Sequence, residues 1–186
     1  KTTDGGLNWN NISDGYFKSP SIGSIDVFQK DPSVLFVGTG SDGIRSNVIV
    51  GKGVYKSKDA GSSWEFVGLE NTGQIGAVKI HPENPDTVYV AAIGQAFQPN
   101  SERGLYKTTD GGKTWENVLF ISDKIGIVDF EFSPENPDIL YAASWEVDRK
   151  PWTIISGSKA GGIYKSMDAG KSWIKLSEGL PTGNIG

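Results

Sequence analysis

Short apolar runs broken by turn residues fill this chain, and their alternation predicts strands. Gly23, Ile25 and Val27 alternate with Ser24, Asp26 and Phe28. Gly76, Val78 and Ile80 alternate with Ala77 and Lys79, and Val128, Phe130 and Phe132 with Asp129 and Glu131. A period of two marks a strand whose two faces meet different surroundings. Each run leads into a turn: Pro82-Glu-Asn-Pro-Asp86, Pro134-Glu-Asn-Pro-Asp138, and a weaker form at Lys30-Asp-Pro-Ser33. Second β runs follow at Val34-Leu-Phe-Val, Val88-Tyr-Val-Ala and Ile139-Leu-Tyr-Ala. Third runs are Gly53-Val-Tyr-Lys-Ser, Gly104-Leu-Tyr-Lys-Thr and Gly162-Ile-Tyr-Lys-Ser, each entering a tight turn and an outgoing strand. The repeating unit therefore has four strands.

That tight turn recurs four times: Thr2-Thr-Asp4-Gly-Gly6-Leu-Asn-Trp9, Ser57-Lys-Asp59-Ala-Gly61-Ser-Ser-Trp64, Thr108-Thr-Asp110-Gly-Gly112-Lys-Thr-Trp115 and Ser166-Met-Asp168-Ala-Gly170-Lys-Ser-Trp173. The aspartates are 55, 51 and 58 residues apart. Such a period implies an array of like units, and here a β-propeller. In each box the aspartate accepts hydrogen bonds from turn N–H groups, and the glycine supplies a positive φ. The tryptophan opens the outgoing strand and offers apolar surface to pack beside the next unit. A carboxylate saturated by turn amides has little left for chemistry, so the boxes read as structural.

The expectation is an all-β chain, a partial β-propeller of four-stranded antiparallel blades. It has a partial blade at 1–13, blades at about 21–69, 74–121 and 125–178, and the start of another at 179–186. Closed propellers have roughly four to eight blades. The expected partners are therefore the rest of a longer propeller chain or neighbouring subunits.

Composition narrows the function. Net charge is −4, and the 18 basic residues are scattered, which argues against nucleic acid. The chain contains no apolar run long enough to span a membrane, and no cysteine for a disulfide or thiolate metal site. The single histidine, His81, precedes Pro82 at a strand end and reads as a surface or turn residue. It leaves no basis for a histidine-rich metal centre or a Ser-His-Asp triad. No metal and no cofactor are expected.

Length variation locates the candidate site. From each box tryptophan to the next turn proline (Pro32, Pro85, Pro137) the spacing is 23, 21 and 22; from there to the next box aspartate it is 27, 25 and 31. The variable segments, Thr39–Lys52, Gly94–Arg103 and Ser144–Gly161, join second to third strands and leave from the face opposite the boxes. Loops that depart from a repeat are where function concentrates. All three arginines lie there: Arg45, Arg103 and Arg149. Guanidinium suits carboxylate binding, yet arginine at a loop base also ties down backbone carbonyls. Phe97 lies in one loop, and Trp145 and Trp152 at the start and middle of the longest; each can stack on a sugar, anchor a protein, or pin its loop. These six are the candidate ligand contacts. The acids Asp42, Glu102, Glu146 and Asp148 share that face, but nothing selects a hydrolytic pair, and the catalytic residues stay unassigned. Asp26, Lys79, Asp129 and Glu131 on the first strands read as solvated lining of a central channel.

Across nearly its whole length the chain resembles the secreted bacterial Asp-box proteins described as sortilin-like or glycosyl-hydrolase-like. The likeness rests on the three third-strand runs into the boxes, the Pro-Glu-Asn-Pro-Asp turns, and Ala143-Ser-Trp-Glu-Val-Asp-Arg-Lys-Pro-Trp152. It implies a secreted, periplasmic or cell-surface bacterial propeller, and transfers no catalytic residue. Two functions follow as expectations. One is a binding or scaffolding module engaging a protein or glycan through the long loops. The other is a xyloglucanase- or sialidase-like glycoside hydrolase with carboxylates partly outside these residues.

Overall fold

Three antiparallel sheets in sequence order make up the computed structural model, which describes residues 1–43, 45, 47–180 and 183–184. The first holds β1 (Ile22–Val27), β2 (Leu35–Thr39), β3 (Val54–Ser57) and β4 (Glu65–Phe66). The second holds β5 (Gln74–His81), β6 (Asn84–Gly94), β7 (Gly104–Thr108) and β8 (Glu116–Leu119). The third holds β9 (Ile125–Phe132), β10 (Leu140–Lys150), β12 (Gly162–Ser166) and β13 (Ile174–Lys175), with β11 (Thr153–Ser156) added along the far end of β10. Each four-strand order is up and down, as in a propeller blade. Of the start of another blade expected at 179–186, residues 181, 182, 185 and 186 lie outside the described residues.

The core lies between blades. Phe28, Phe36 and Val54 of the first blade meet Ile75, Val78, Ile80, Val88 and Val90 of the second. Ala77, Tyr89, Ala91 and Leu105 of the second meet Ile127, Phe130, Leu140 and Ala142 of the third. The middle blade is thus covered on both sides, which explains why adjacent residues Ala77 and Val78 are both buried. Inner strands approach closely because glycine permits it: a Cβ on Gly76 would lie 2.2 Å from the Val128 carbonyl oxygen.

Asp26, Lys79 and Glu131 join blades, which the reading as channel lining did not include. Asp26 accepts from Ile80 N–H of the next blade at 2.6 Å, and Lys79 pairs with Glu131 across the following interface. Both are links between blades. His81 is likewise half-buried, edge-on to Phe132 of the next blade, and desolvation holds its pKa below the ordinary value.

Candidate functional site

The box carboxylates are saturated by their own turns. In the third box the Asp110 carboxylate accepts from Thr114 N–H at 3.0 Å, the Thr114 hydroxyl at 2.7 Å and the Thr108 hydroxyl at 2.7 Å. The Thr108 oxygen in turn accepts from Gly112 N–H. The same bonds recur about Asp4, Asp59 and Asp168. They hold these three carboxyls near a pKa of about 2, led by bonds from Asn8, Ser63 and Ser172 respectively. Asp110 is pulled down as well, first by Thr114. Such acids stay ionised and have their lone pairs taken, which suits neither proton transfer nor a free ligand site.

The tryptophans reach backwards, against expectation. Trp64 Nε1 donates to Ile12 O at 2.8 Å and Trp115 Nε1 to Val67 O at 2.7 Å, both in the preceding unit. A Cβ on Gly61 or Gly112 would collide with Ile12 or Val67. Glycine and indole together therefore clamp these two boxes onto the segment that ends the preceding unit. Trp9 and Trp173 instead donate to their own boxes, at Gly6 O and Gly170 O.

The opposite face is open. The longest expected loop, Ser144–Gly161, is a hairpin: β10 continues to Lys150, turns at Pro151-Trp152 and returns as β11. The β-branched run Thr153-Ile-Ile supports it. Trp152 therefore sits at a hairpin turn and is 81% exposed.

Arg103 holds this hairpin down, its guanidinium turned to backbone carbonyls rather than to solvent. It is 1% exposed and donates to the carbonyls of Ile93, Gln95, Gln98 and Val147. Burial lowers its pKa, opposed by Asp148, Asp123 and Glu146. The last of those carbonyls belongs to the hairpin and the others to the neighbouring blade. Arg149 N–H donates to Ala96 O at 2.6 Å, adding a second tie, and its guanidinium closes the hairpin turn on Lys150 O and Thr153 O. The outcome is a pinned ridge on which Phe97, Trp152, Ile154 and Ile155 remain exposed.

Beside it lies a cavity of about 600 Å³ that gathers groups from all three blades: Asp42, Gly76, Val128, Asp129, Ser144 and Trp145 among them. The Trp145 indole is fixed by a 3.0 Å bond to Ser156 Oγ. Asp42 and Asp129, read from sequence as members of different groups, share this cavity. Arg45 is exposed and lines a smaller one of about 240 Å³ with Ser21, Ser41 and Asp42. Of the other acids, Asp148 pairs with Lys150 at 3.0 Å and Glu102 accepts from Asn100. Among the described residues, no three His, Cys, Asp or Glu side chains are placed to hold a metal ion.

Inter-blade cores and strand order define the class: a partial β-propeller. Residues 52–182 match the Sortilin-Vps10 family, described as sortilin, neurotensin receptor 3, and the chain belongs to that family. It is 26% identical to a Paenibacillus sp. xyloglucanase over 155 residues, covering 78% of this chain and 14% of that protein. It is 32% identical over 85 residues to the vacuolar protein sorting/targeting protein 10 of Colletotrichum graminicola, 46% of this chain and 5% of that one. The chain thus spans a small part of these relatives' length. Among solved structures, an ancestral GH74 enzyme superposes with TM-score 0.59 at 16% identity, over 92% of this chain and 19% of that one. The Niastella koreensis GH74 enzyme does so with TM-score 0.58 at 22% identity, over 82% and 21%. At those identities the likeness establishes the fold alone. No helix among the described residues is long and apolar enough to cross a membrane.

Proposed function

We propose that the chain is an extracytoplasmic propeller segment that binds a glycan or an extended protein partner through the face opposite its boxes. The observation that carries this is the pinned ridge. Arg103 and Arg149 donate to backbone carbonyls, and what they hold in place is Trp152, Phe97, Ile154 and Ile155 facing solvent. A rigid scaffold carrying exposed aromatics is the arrangement that sugar stacking and protein anchoring both require, because little side-chain entropy is lost on contact. Location outside the cytoplasm rests on the resemblance to secreted Asp-box proteins.

The test is affinity electrophoresis through gels containing xyloglucan or other β-glucans. Retardation that is lost in Trp152→Ala and Phe97→Ala, with unchanged unfolding temperature, supports the reading. Retardation unaffected by both would sink it.

A second reading has its own observation: Asp42 and Asp129 line one cavity beside the fixed Trp145 indole. Two carboxyls flanking a sugar are what glycoside hydrolysis uses, and a relative is a xyloglucanase. Release of reducing ends from xyloglucan, abolished by Asp42→Asn or Asp129→Asn, would favour hydrolysis over simple binding. Absence of release from the full-length protein would leave binding alone.

A further inference from the structure

The hairpin of β10 and β11 has two edges, and the fold treats them differently. Gly157 N–H donates to Glu146 O at 2.8 Å, which marks 146 and 157 as a hydrogen-bonded pair. Such pairs alternate along an antiparallel ladder, so Asp148 with Ile155 and Lys150 with Thr153 also bond to each other. The backbone groups of Val147, Arg149, Ile154 and Ser156 therefore point out of the hairpin. On the β10 side they are taken up. Arg149 N–H donates to Ala96 O at 2.6 Å, and Val147 O accepts from Arg103 at 3.3 Å. On the β11 side the N–H and C=O of Ile154 and Ser156 have no partner among the described residues.

Proteins blunt such edges with charge, proline or a covering loop. None of these stands on β11: all four of its residues, Thr153-Ile-Ile-Ser156, are exposed and uncharged. Successive side chains alternate, so Ile154 and Ile155 put one isoleucine on each face of the hairpin. Both are nearly half exposed. Ile155 borders a small cavity of about 60 Å³ beside Pro99, Lys124 and Glu146. On the other face Ser156 is held by the Trp145 indole. The open edge is thus rigid and strongly strand-forming.

We propose that the free edge of β11 is a docking strand for an extended peptide segment of a partner protein, which adds to it as one more β-strand. The proposal rests on the binding reading above and names its partner. The outward groups of Ile154 and Ser156 alternate N–H with C=O and recur every two residues, about 7 Å apart. That is the repeat of a peptide backbone, whereas a glucan offers hydroxyls without it. Isoleucine on both faces sets the partner's side chains: an added strand lays alternate residues beside Ile154 and Ile155, so its core is apolar. The flank past Ser156 is basic. Lys175 Nζ donates to Lys159 O and Ala160 O, and neither lysine forms an ion pair among the described residues. An acidic residue beside the apolar run complements that flank. A second copy of this chain fits less well. Four residues make an edge about 13 Å long, while a stable interface buries about 1,600 Å² in total. A flexible segment can follow so short an edge, its main-chain bonds giving affinity and its side chains specificity.

The probe is a fluorescein-labelled peptide, Gly-Val-Ile-Val-Asp-Asp, titrated into the full-length protein and followed by anisotropy. Saturable binding is expected, with slowed amide exchange at Ile154 and Ser156. Ile154→Pro removes one outward N–H and no ladder bond, a placement in which a strand accepts proline. It is expected to weaken binding about tenfold, the worth of one hydrogen bond, at unchanged Tm. Ile154→Val should stay within about twofold. A second arm leaves the protein untouched. N-methylation of one alternating set of peptide amides is expected to abolish binding, and of the other set to spare it. No binding at about 1 mM peptide, equal binding by Ile154→Pro, or equal sensitivity of both amide sets overturns the proposal. Xyloglucan oligosaccharides that protect the ridge while the peptide stays inert would keep the binding face and overturn the peptide strand. Failure of peptide and glucan together would remove both. Dimers seen by sedimentation and abolished by Ile154→Pro would assign the edge to a second copy, against the proposal.

Discussion

Replacing Arg103 by methionine removes the guanidinium and keeps an unbranched apolar stem in its place. Two of its bonds are short, 2.9 Å to Ile93 O and 2.5 Å to Gln95 O, and two are long, 3.4 Å to Gln98 O and 3.3 Å to Val147 O. Each buried carbonyl left unpaired costs about 1–3 kcal/mol, so the two short bonds set a gross loss of about 2–6 kcal/mol. Part is returned, because a buried cation no longer has to be stripped of water. A net destabilisation of about 2–4 kcal/mol follows. For a chain of this length that lowers Tm by about 4–16 °C. Thermal unfolding followed by circular dichroism measures it, and hydrogen exchange locates it. Opening is expected first in β11 and the segment between β6 and β7. Arg103→Lys is expected to fall between, since an ammonium cannot fork to several carbonyls in one plane. A Tm change below about 2 °C with lost ligand binding would show that Arg103 acts on ligand after all.

Three further outcomes follow from the blade contacts. The carboxyls of Asp4, Asp59 and Asp168 titrate at about 2 when folded, below the ordinary 3.8; their stabilisation is complete above pH 4 and lost as pH falls towards 2. An acid melting series on Asp59→Asn should show a shallower loss over that window; an unchanged slope would contradict the bonding described. Trp115→Phe gives up the bond to Val67 O and should cost about 1 kcal/mol, whereas Trp9→Phe, at a site 72% exposed, should stay within about 0.5 kcal/mol; equal effects in urea titration would refute the backward clamp. Gly76→Ala drives a methyl into the Val128 carbonyl and should cost about 1–3 kcal/mol, read as a lower denaturation midpoint, while a neutral result would mean the inner strands are free to part.

The four-strand unit, the box turns and the separation of two faces were legible because each rests on local chemistry. A Ser/Thr-x-Asp-x-Gly-x-x-Trp turn satisfies its own hydrogen bonds, and period-two alternation needs only one strand. Contacts between blades were less accessible. Asp26 and Lys79 read as channel lining because their partners, Ile80 N–H and Glu131, lie more than 50 residues away. Arg103 looked like a ligand group because a loop arginine has the same spelling whether it faces solvent or four carbonyls. The hairpin at Val147–Ser156 was hidden by its polar positions, which belong to a strand pair extending past the blade. The lysine before each box was the signal passed over. It stands at the same place in all four copies, and only the structure connects it to the next blade, where Lys56 and Lys107 bond carbonyls of the following box.

One face of this propeller segment builds the fold, and the opposite face is the one proposed to bind. Hydrogen exchange of the full-length protein, with and without xyloglucan oligosaccharides, tests it most directly. Slowed exchange is expected across residues 145–156 and around Phe97, with the four box turns unchanged. Slowed exchange at the boxes, with the ridge unaffected, would contradict it.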